Sequence, residues 1–217
     1  KMPYADDDLV PVVFTNAAPS VIVVDAAGPI QTLKDLQAYG MRKGGLSFGT
    51  AGAGSTGHFV AEMVRSALGV PVTVVHYKSG SETVAAILGG QIDVASEAPV
   101  GVLGHVRGGK LRGIAVCDDR RVPVLADVPT TVEQGFATIQ MQHWGGVFAP
   151  KGTPVAILDR IAQAMQKAFA TDAGLRAQME ANGLRTTVGS RADFDAFLSN
   201  EKARLGEIVN ATGMTLE

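Results

Sequence analysis

Short runs of apolar, often β-branched residues alternate along the chain with segments of helical periodicity, and this alternation predicts an α/β fold. Candidate strands cover residues 10–15, 20–24, 46–49, 72–76, 92–95, 111–116, 145–149 and 185–188. Two of these runs, at 21–24 and 114–116, are apolar throughout. Uninterrupted apolar runs are typical of strands that are covered on both faces.

The predicted helices are marked by their start and stop residues. Because glycine adopts the left-handed conformation that ends a helix, we expect one helix over 32–39 that ends at Gly40 and another over 56–68 that ends at Gly69. Thr153 and Pro154 form an N-cap and first-turn pair for a third helix, and a last helix is expected near 191–211. The apolar stripes of these last two helices are predicted to face the core: Ile157, Leu158, Ile161, Met165, Phe194, Phe197, Leu198, Leu205, Ile208 and Val209.

The composition is that of a folded domain without a polyanion-binding surface. The chain has 217 residues, of which 46% are hydrophobic and 18% charged, and its formal net charge is −2. The apolar fraction argues against intrinsic disorder, and the balanced charge argues against nucleic acid as a partner. With one cysteine, Cys117, no internal disulfide can form. No apolar run approaches the ~18 residues of a membrane-spanning helix, so we expect no membrane-spanning segment.

The clearest candidate site is a predicted strand, a small-residue loop and a predicted helix within residues 46–58. We call residues 51–55 the glycine loop; they are Ala51, Gly52, Ala53, Gly54 and Ser55. The first N–H groups of a helix lack partners within it, and the helix dipole adds positive charge there. Small residues let an anion approach these donors, and the hydroxyls of Thr50 and Ser55 would add to them. The pattern predicts a carboxylate or phosphate site; the alternative is a turn that only packs the helix on the strand.

Gly52, Gly54 and Gly57 also match the spacing of a dinucleotide-binding fingerprint. That fingerprint needs an acidic residue near the end of the next strand, where it holds the ribose hydroxyls. The strand predicted at 72–76 is followed by Tyr77 and Lys78 instead. An oxidoreductase domain that binds NAD(P) through this loop is therefore the alternative function.

Neither catalysis nor metal binding has a local signature. The four histidines are scattered without a metal-binding spacing, and His58 is interpreted as a helix-start or packing residue. Ser55 has Ala53, not glycine, two residues before it, so a nucleophile elbow is incomplete. We therefore predict that the protein is not an enzyme, with no catalytic residues, no metal and no cofactor.

A second candidate position follows the predicted strand at 92–95, where Ser96 and Glu97 are polar. Ligands of α/β sheets bind beyond the carboxyl ends of the strands, so either residue could contact a ligand directly or through water. A strand end that is merely solvated is an equally good interpretation. Trp144 precedes another predicted strand and is interpreted as a core residue or as the floor of a cleft.

An ordered series of motifs carries a family resemblance. The series is Pro3-Tyr4, Asp8, Pro11, residues 50–58, Tyr77-Lys78, Gly-Gly-Gln-Ile-Asp at 89–93, Gly-Lys-Leu-Arg at 109–112, Arg120, Asp-Val-Pro-Thr at 127–130, Glu133, Gly135, Trp144-Gly145 and Ala-Pro-Lys-Gly-Thr-Pro at 149–154. Taken together, from about Pro3 to the C-terminus, it resembles the substrate-binding proteins of tripartite tricarboxylate transport systems, the Bug-type extracytoplasmic solute receptors.

The resemblance implies a two-lobed, periplasmic-binding-protein-like α/β fold of type II, with mixed sheets flanked by helices. It implies a monomeric receptor in the periplasm whose signal peptide has been removed. Such a receptor binds a small organic anion, a carboxylate or an amino acid, between its lobes and delivers it to membrane permease subunits. The implied ligand-binding residues are Thr50, Ala51, Gly52, Ala53, Gly54, Ser55, Ser96 and Glu97.

The resemblance also implies how the chain is divided. Residues 1–42 and 124–217 are expected to form the first lobe, and residues 43–123 the second. Members of this family begin with a further strand–helix segment that carries a glycine-rich loop of the ligand site. We therefore expect this chain to be N-terminally truncated, with an incomplete first lobe. Ser96 stands where the family often has an aromatic residue, which predicts a roomier or more polar site.

Overall fold

The computed structural model describes residues 5–186 and 188–215. Within these residues the chain forms two compact units. The smaller consists of the chain up to Ala17 together with Trp144–Arg204, and the larger of Ala18–His143 and the residues from Leu205 onwards. The sequence analysis predicts a different division, in which residues 43–123 form the second lobe and the rest of the chain the first. That division stays a prediction. Two motif residues, Pro3 and Tyr4, and Thr187 of the last predicted strand lie outside the described residues.

The described residues contain eight strands and seven α-helices. The strands are β1 (Leu9–Pro19), β2 (Val21–Asp25), β3 (Leu46–Thr50), β4 (Val72–His76), β5 (Val94–Glu97), β6 (Leu111–Val116), β7 (Gln142–Pro150) and β8 (Arg185–Thr186). The helices are α1 (Leu33–Lys43), α2 (Thr56–Leu68), α3 (Gly80–Leu88), α4 (Pro99–Arg107), α5 (Val155–Thr171), α6 (Ala173–Ala181) and α7 (Arg191–Thr212). Short 3₁₀ turns lie at Asp6–Asp8 and Pro123–Leu125.

The larger unit is built on a five-stranded mixed sheet in the order β4-β3-β5-β2-β6. Strand β3 runs parallel to β4 and β5, whereas β2 is antiparallel to both β5 and β6. Side chains of β2 alternate between two hydrophobic cores: Ile22 and Val24 pack on the face covered by α1 and α2, and Val21 and Val23 on the face covered by α3 and α4. The sheet is therefore covered on both faces, as the apolar run at 21–24 predicts.

The smaller unit contains a three-stranded sheet in the order β7-β1-β8. Val12 of β1 packs with Leu158 of α5, and Phe14 of β1 packs with Phe194 of α7. Trp144 is half-buried and makes edge-on contacts with the rings of Phe194 and Phe197, at 6.0 and 5.5 Å between centroids. Trp144 is thus part of an aromatic cluster within this unit.

The predicted end of the first helix at Gly40 is wrong. Helix α1 continues to Lys43 and is capped by Gly44 in the left-handed conformation, with φ of +82°. Gly40 is buried inside the helix, and a Cβ built there would lie 2.9 Å from Cγ of Leu46. This glycine therefore allows the helix to approach β3 closely. Helix α2 has the predicted bounds and is capped by Gly69.

The stripes predicted for the last helices are only partly confirmed. Helix α5 begins at Val155 with Pro154 as its N-cap, so Thr153 does not cap it. Leu158 is buried, but the neighbouring Ile157 is 50% exposed and does not face the core. In α7, Phe194 is buried and Leu205 packs against the core of the larger unit. Within the described residues, neither α7 nor any other helix has the length and apolarity to cross a membrane.

Candidate functional site

The predicted site residues lie at one edge of the five-stranded sheet. Strands β3, β4 and β5 run parallel and end at Thr50, His76 and Glu97. Helices α2, α3 and α4 begin just after these strand ends. Because the carboxyl ends of parallel strands share an edge, the glycine loop and the pair Ser96-Glu97 are brought together here, as the sequence predicts.

The glycine loop is exposed at Ala51, Ala53 and Gly54, partly buried at its other two residues, and shaped by two glycines. Gly52 has φ of +115° and Gly54 has φ of +72°, conformations that residues with a side chain adopt only with strain. Ser55 is the N-cap of α2, and its hydroxyl accepts the N–H of His58 at 3.4 Å. No acceptor within residues 5–186 and 188–215 is found for the N–H groups of Ala53, Thr56 and Gly57. These donors, with the dipole of α2, are the features of an anion site.

Thr50 is fully buried, and its hydroxyl is engaged inside the protein. The oxygen lies 2.6 Å from Nδ1 of His76 and 3.3 Å from the carbonyl oxygen of Gly52. The structure therefore directs this hydroxyl towards β4 and the backbone of the loop, where it holds the start of the loop. His76 is a contact that the sequence analysis missed, since nothing in the spacing links residue 50 to residue 76.

His58 is more than a packing residue, because its ring binds the glycine loop. The N–H of Gly54 donates to Nδ1 of His58 at 3.1 Å. This bond resembles a capping box, in which the side chain of the third helical residue reaches back to a backbone N–H at the helix start. The sequence Ser55-Thr56-Gly57-His58 has histidine where that motif has glutamate or glutamine, which is the signal that could have revealed the contact.

Ser96 is buried and belongs to a polar chain that crosses the sheet. Its hydroxyl lies 2.5 Å from the hydroxyl of Ser20, which in turn lies 3.1 Å from Nε2 of His143. Burial lowers the pKa of His143 to about 4, so this imidazole is neutral near pH 7. Ser20 was missed because it approaches Ser96 only through the pairing of β2 with β5, and His143 because it lies in β7, 123 positions from Ser20.

Glu97 is a half-buried carboxyl group beside the start of α3. Burial raises its pKa to about 7, because a carboxylate loses favourable hydration there. A Cβ built on Gly80 would lie 2.5 Å from Oε2 of Glu97, so the carboxyl group lies directly against this glycine. Ser79, whose hydroxyl accepts the N–H of Glu82 at 3.3 Å, caps α3.

The features that a dinucleotide or a metal would need are not assembled at this edge. Gly57 is buried in α2, and a Cβ there would lie 3.2 Å from the carbonyl oxygen of Ser96. This glycine therefore serves helix–sheet packing, which is also the role of the third glycine in a dinucleotide fingerprint, so only the missing acidic residue argues against that ligand. Strand β4 ends in His76, a residue that cannot accept ribose hydroxyls as a carboxylate does. Among the described residues, no group of three or more His, Cys, Asp or Glu side chains is arranged to hold a metal ion.

A separate cavity of about 180 Å³ lies at the other edge of the sheet, near the start of β5. Its lining includes Asp93, whose carboxylate accepts hydrogen bonds from Lys43 and from the backbone and hydroxyl of Ser47. These contacts hold the pKa of Asp93 below its ordinary value although burial opposes them. The carboxylate is already paired within the protein, and the residues predicted for ligand binding lie elsewhere.

The chain matches a family model described as the tripartite tricarboxylate transporter family receptor over residues 1–214. It is 27% identical over 214 residues to a UPF0065 protein of Bordetella pertussis, a match that covers 98% of this chain and 66% of that protein. Protein BugT of the same organism is 28% identical over 212 residues, covering 97% of this chain and 65% of BugT. The chain thus spans about two thirds of the length of these curated relatives.

A solved structure, R. palustris Rpa4515 with adipate, superposes with a TM-score of 0.92 at 25% identity and covers 99% of this chain and 72% of that chain. The periplasmic binding protein BugD superposes with a TM-score of 0.87 at 25% identity, covering 95% of this chain and 70% of that chain. These similarities confirm the predicted fold class, a periplasmic-binding-protein-like α/β fold with mixed sheets flanked by helices.

Proposed function

The chain belongs to the tripartite tricarboxylate transporter receptor family, and we propose that it is an extracytoplasmic solute receptor. It binds a small carboxylate-bearing metabolite and delivers it to membrane permease subunits, and its place of action is the periplasm. The single observation that carries the proposal is the N-terminus of α2, where N–H groups without an acceptor among the described residues follow a loop of small residues. The proposal makes the protein a receptor and not an enzyme.

The carboxylate is held by uncharged donors. The N–H groups of Ala53 and Thr56 and the hydroxyl of Ser55 lie at the start of α2, and the helix dipole favours a negative charge there. The small side chains of Ala51 and Gly52 leave room for the ligand, and Gly54 gives the loop its turn. This mode of binding needs no Lys or Arg, so it is compatible with a net charge of −2. Thr50 does not contact the ligand in this proposal; its hydrogen bond with His76 fixes the start of the loop.

Ser96 and Glu97 contact the remainder of the ligand. The hydroxyl of Ser96 is hydrogen-bonded to the hydroxyl of Ser20. This hydrogen bond fixes the position from which Ser96 contacts the ligand at the end of β5. Glu97 offers a carboxyl group that titrates near pH 7. When ionised, it repels a second ligand carboxylate; when protonated, it can donate a hydrogen bond to one. The adipate bound to Rpa4515 supports dicarboxylates as the first ligands to test.

Thermal-shift and calorimetric titrations of the whole protein test the proposal. We would compare adipate, malate, citrate, benzoate and glutamate with NADH and NADPH. Since a ligand that binds only the native state stabilises it by about 2.7 kcal/mol at a hundred times its Kd, saturable stabilisation by a carboxylate is expected. Stabilisation by NADH or NADPH with none by any of the acids would overturn the proposal in favour of the oxidoreductase, and no stabilisation by any acid would also refute it.

A further inference from the structure

The glycine loop is held by a pair of histidines, one at each end. Nδ1 of His76 lies 2.6 Å from the hydroxyl of Thr50, directly before the loop. Nδ1 of His58 accepts the N–H of Gly54, near the end of the loop, at 3.1 Å. The two rings also contact each other edge to face, with 4.8 Å between their centroids. The start and the end of the loop are therefore tied to one two-ring unit.

The two hydrogen bonds respond differently to protonation. A hydroxyl can donate or accept, so the bond between Thr50 and His76 persists whether or not Nδ1 of His76 carries a proton. A backbone N–H can only donate. Nδ1 of His58 must therefore be unprotonated, and the neutral ring carries its proton on Nε2. A second proton on His58 would set two donors, Nδ1–H and the N–H of Gly54, against each other.

We propose that His58 is a positioning residue for the ligand, and that only its Nε2-protonated, neutral form holds the glycine loop in the binding-competent conformation. This inference rests on the proposed function of the loop. The bond from Gly54 orients the peptide that joins it to Ala53, and so it orients the N–H groups offered to a carboxylate. Protonation of His58 breaks this bond, releases the turn at Gly54 and weakens ligand binding.

The surroundings of His58 shift its protonation to lower pH. The side chain is 6% exposed, and burial, then His76 of β4, then Arg65 of α2 hold its pKa below the ordinary value of 6.5. Glu62, the carboxylate on the same helix, is paired with Arg65. The loop therefore keeps its conformation in mildly acidic solution and loses it only when the pH falls through this lowered pKa. His76 is exposed.

Nitrogen-15 NMR of the ligand-free protein tests the first half of the proposal without reference to any ligand. At pH 7.5, Nδ1 of His58 should have the shift of an unprotonated ring nitrogen and Nε2 that of a protonated one. The backbone amide of Gly54 should then change its shift with the same midpoint as the His58 ring during an acid titration. The proposal would be overturned by a proton on Nδ1 at pH 7.5. It would also be overturned if the chemical shift of the Gly54 amide did not change while His58 is titrated.

Two variants test the second half, with adipate as the probe. In His58→Asn, the amide oxygen stands near the place of Nδ1 and can accept from Gly54, whereas the longer side chain of His58→Gln places its amide near Nε2. We expect His58→Asn to bind adipate within about threefold of the wild type at pH 7.5 and to show a smaller acid-side decrease than the wild type, since only the decrease due to protonation of adipate itself remains. We expect His58→Gln to bind roughly tenfold more weakly, the effect of one lost hydrogen bond.

The outcomes separate the two proposals. If His58→Gln, shown by its melting curve to be folded, binds adipate as tightly as the wild type, His58 is not a positioning residue and the proposed function still stands. The same holds if His58→Asn retains the full acid-side decrease. If the wild type does not bind adipate, that ligand is excluded for the proposed function, and the coupling between the Gly54 amide and the His58 ring in the free protein alone decides the role of His58.

Discussion

The carboxyl group of Glu97 occupies the space that a side chain at Gly80 would need. A Cβ on Gly80 would lie 2.5 Å from Oε2, 2.8 Å from Cδ and 3.0 Å from Oε1 of Glu97. The first residue of α3 therefore determines how deeply this carboxyl group is buried at the strand end. Since burial is what raises the pKa of Glu97 to about 7, Gly80 controls a charge at the proposed ligand site.

Replacing Gly80 by alanine should lower the pKa of Glu97 towards its ordinary value of 4.5. The new methyl group displaces the carboxyl group towards water, where the ionised form is no longer penalised. Because the displaced atoms are the end of a flexible side chain, we expect the free energy of unfolding to change by less than about 1 kcal/mol at pH 4, where Glu97 is largely protonated in both states. A carbon-13 NMR titration of the side-chain carboxyl group measures the pKa.

Gly101→Ala is the matched control for this substitution. Gly101 also lies in a helix, α4, but nothing lies within 4 Å of a Cβ built there. The control should leave the pKa of Glu97 unchanged and stabilise the protein by up to about 1 kcal/mol through helix propensity. A pKa near 7 in Gly80→Ala would contradict the assigned cause.

Glu97→Gln should stabilise the protein at pH 8 and leave its stability unchanged at pH 4. The raised pKa means that folded Glu97 holds its proton up to about pH 7, whereas in the unfolded chain it ionises near 4.5. Between these values the folded state binds more protons, so the contribution of Glu97 to stability is lost as the pH rises. Glutamine does not ionise, so the variant should gain on the order of 2 kcal/mol above pH 7. Urea unfolding at both pH values measures this difference.

Gly54→Val should abolish carboxylate binding while the fold is retained. Gly54 has φ of +72°, and a β-branched residue would have to leave that conformation or hold it under strain. Either way the N–H groups of the loop are reoriented. We expect a loss of unfolding free energy of about 1–2 kcal/mol together with at least a tenfold loss of affinity, measured by calorimetry with adipate.

Gly44→Val provides the comparison. Gly44 caps α1 with φ of +82°, and nothing lies within 4 Å of its Cβ position. It therefore carries similar backbone strain away from the glycine loop. Equal destabilisation of the two variants with loss of binding only in Gly54→Val supports the site; equal binding by both would refute it.

The elements that depend on local signals could be predicted from the sequence. Strands β4 and β6 have their predicted bounds, because β4 is a β-branched run that Pro71 precedes and β6 is a mostly apolar run that Gly109 and Lys110 precede. Helix α2 has its predicted bounds because Ser55 caps its start and Gly69 its end. The glycine loop and the pair Ser96-Glu97 could be placed at strand ends from the sequence, because small residues follow β3 and these two polar residues end β5. Their role in ligand binding stays a prediction.

Contacts between strands that are distant in sequence could not be predicted. Ser20 lies 76 positions from Ser96 and 123 positions from His143, and its role becomes visible only when β2 is placed between β5 and β6. The predicted helix end at Gly40 was wrong for a related reason. A glycine that ends a helix and one that allows close packing look the same in sequence, and only the position of Leu46 distinguishes them.

Gly40→Ala should therefore destabilise the protein although alanine favours helix formation. Its Cβ would lie 2.9 Å from Cγ of Leu46, which is 2% exposed and has little room to move. Overpacking of this kind costs about 1–3 kcal/mol, against a gain of at most about 1 kcal/mol from helix propensity. We expect a net loss of roughly 1–2 kcal/mol in urea unfolding. Gly206→Ala in α7, where nothing lies within 4 Å, should instead be neutral or stabilising.

His143 and Glu97 should have opposite effects on the unfolding free energy as the pH is lowered. Burial lowers the pKa of His143 from 6.5 to about 4, so between these values the unfolded chain binds the extra proton and stability falls as the pH falls. Glu97 acts in the opposite direction over nearly the same interval, because its pKa is raised from 4.5 to about 7. Their contributions to the pH dependence should largely cancel in the wild type between about pH 4.5 and 6.5.

Single variants should show separately how His143 and Glu97 each make the unfolding free energy depend on pH. In Glu97→Gln, the remaining His143 should make the unfolding free energy fall by roughly 2 kcal/mol as the pH is lowered from 7 to 4. In His143→Gln, which keeps an amide beside Ser20, the remaining Glu97 should make it rise by a similar amount. The double variant should show neither trend. Parallel profiles for all four proteins in urea unfolding between pH 4 and 8 would contradict the argument, since they would mean that neither buried group changes its proton affinity on folding.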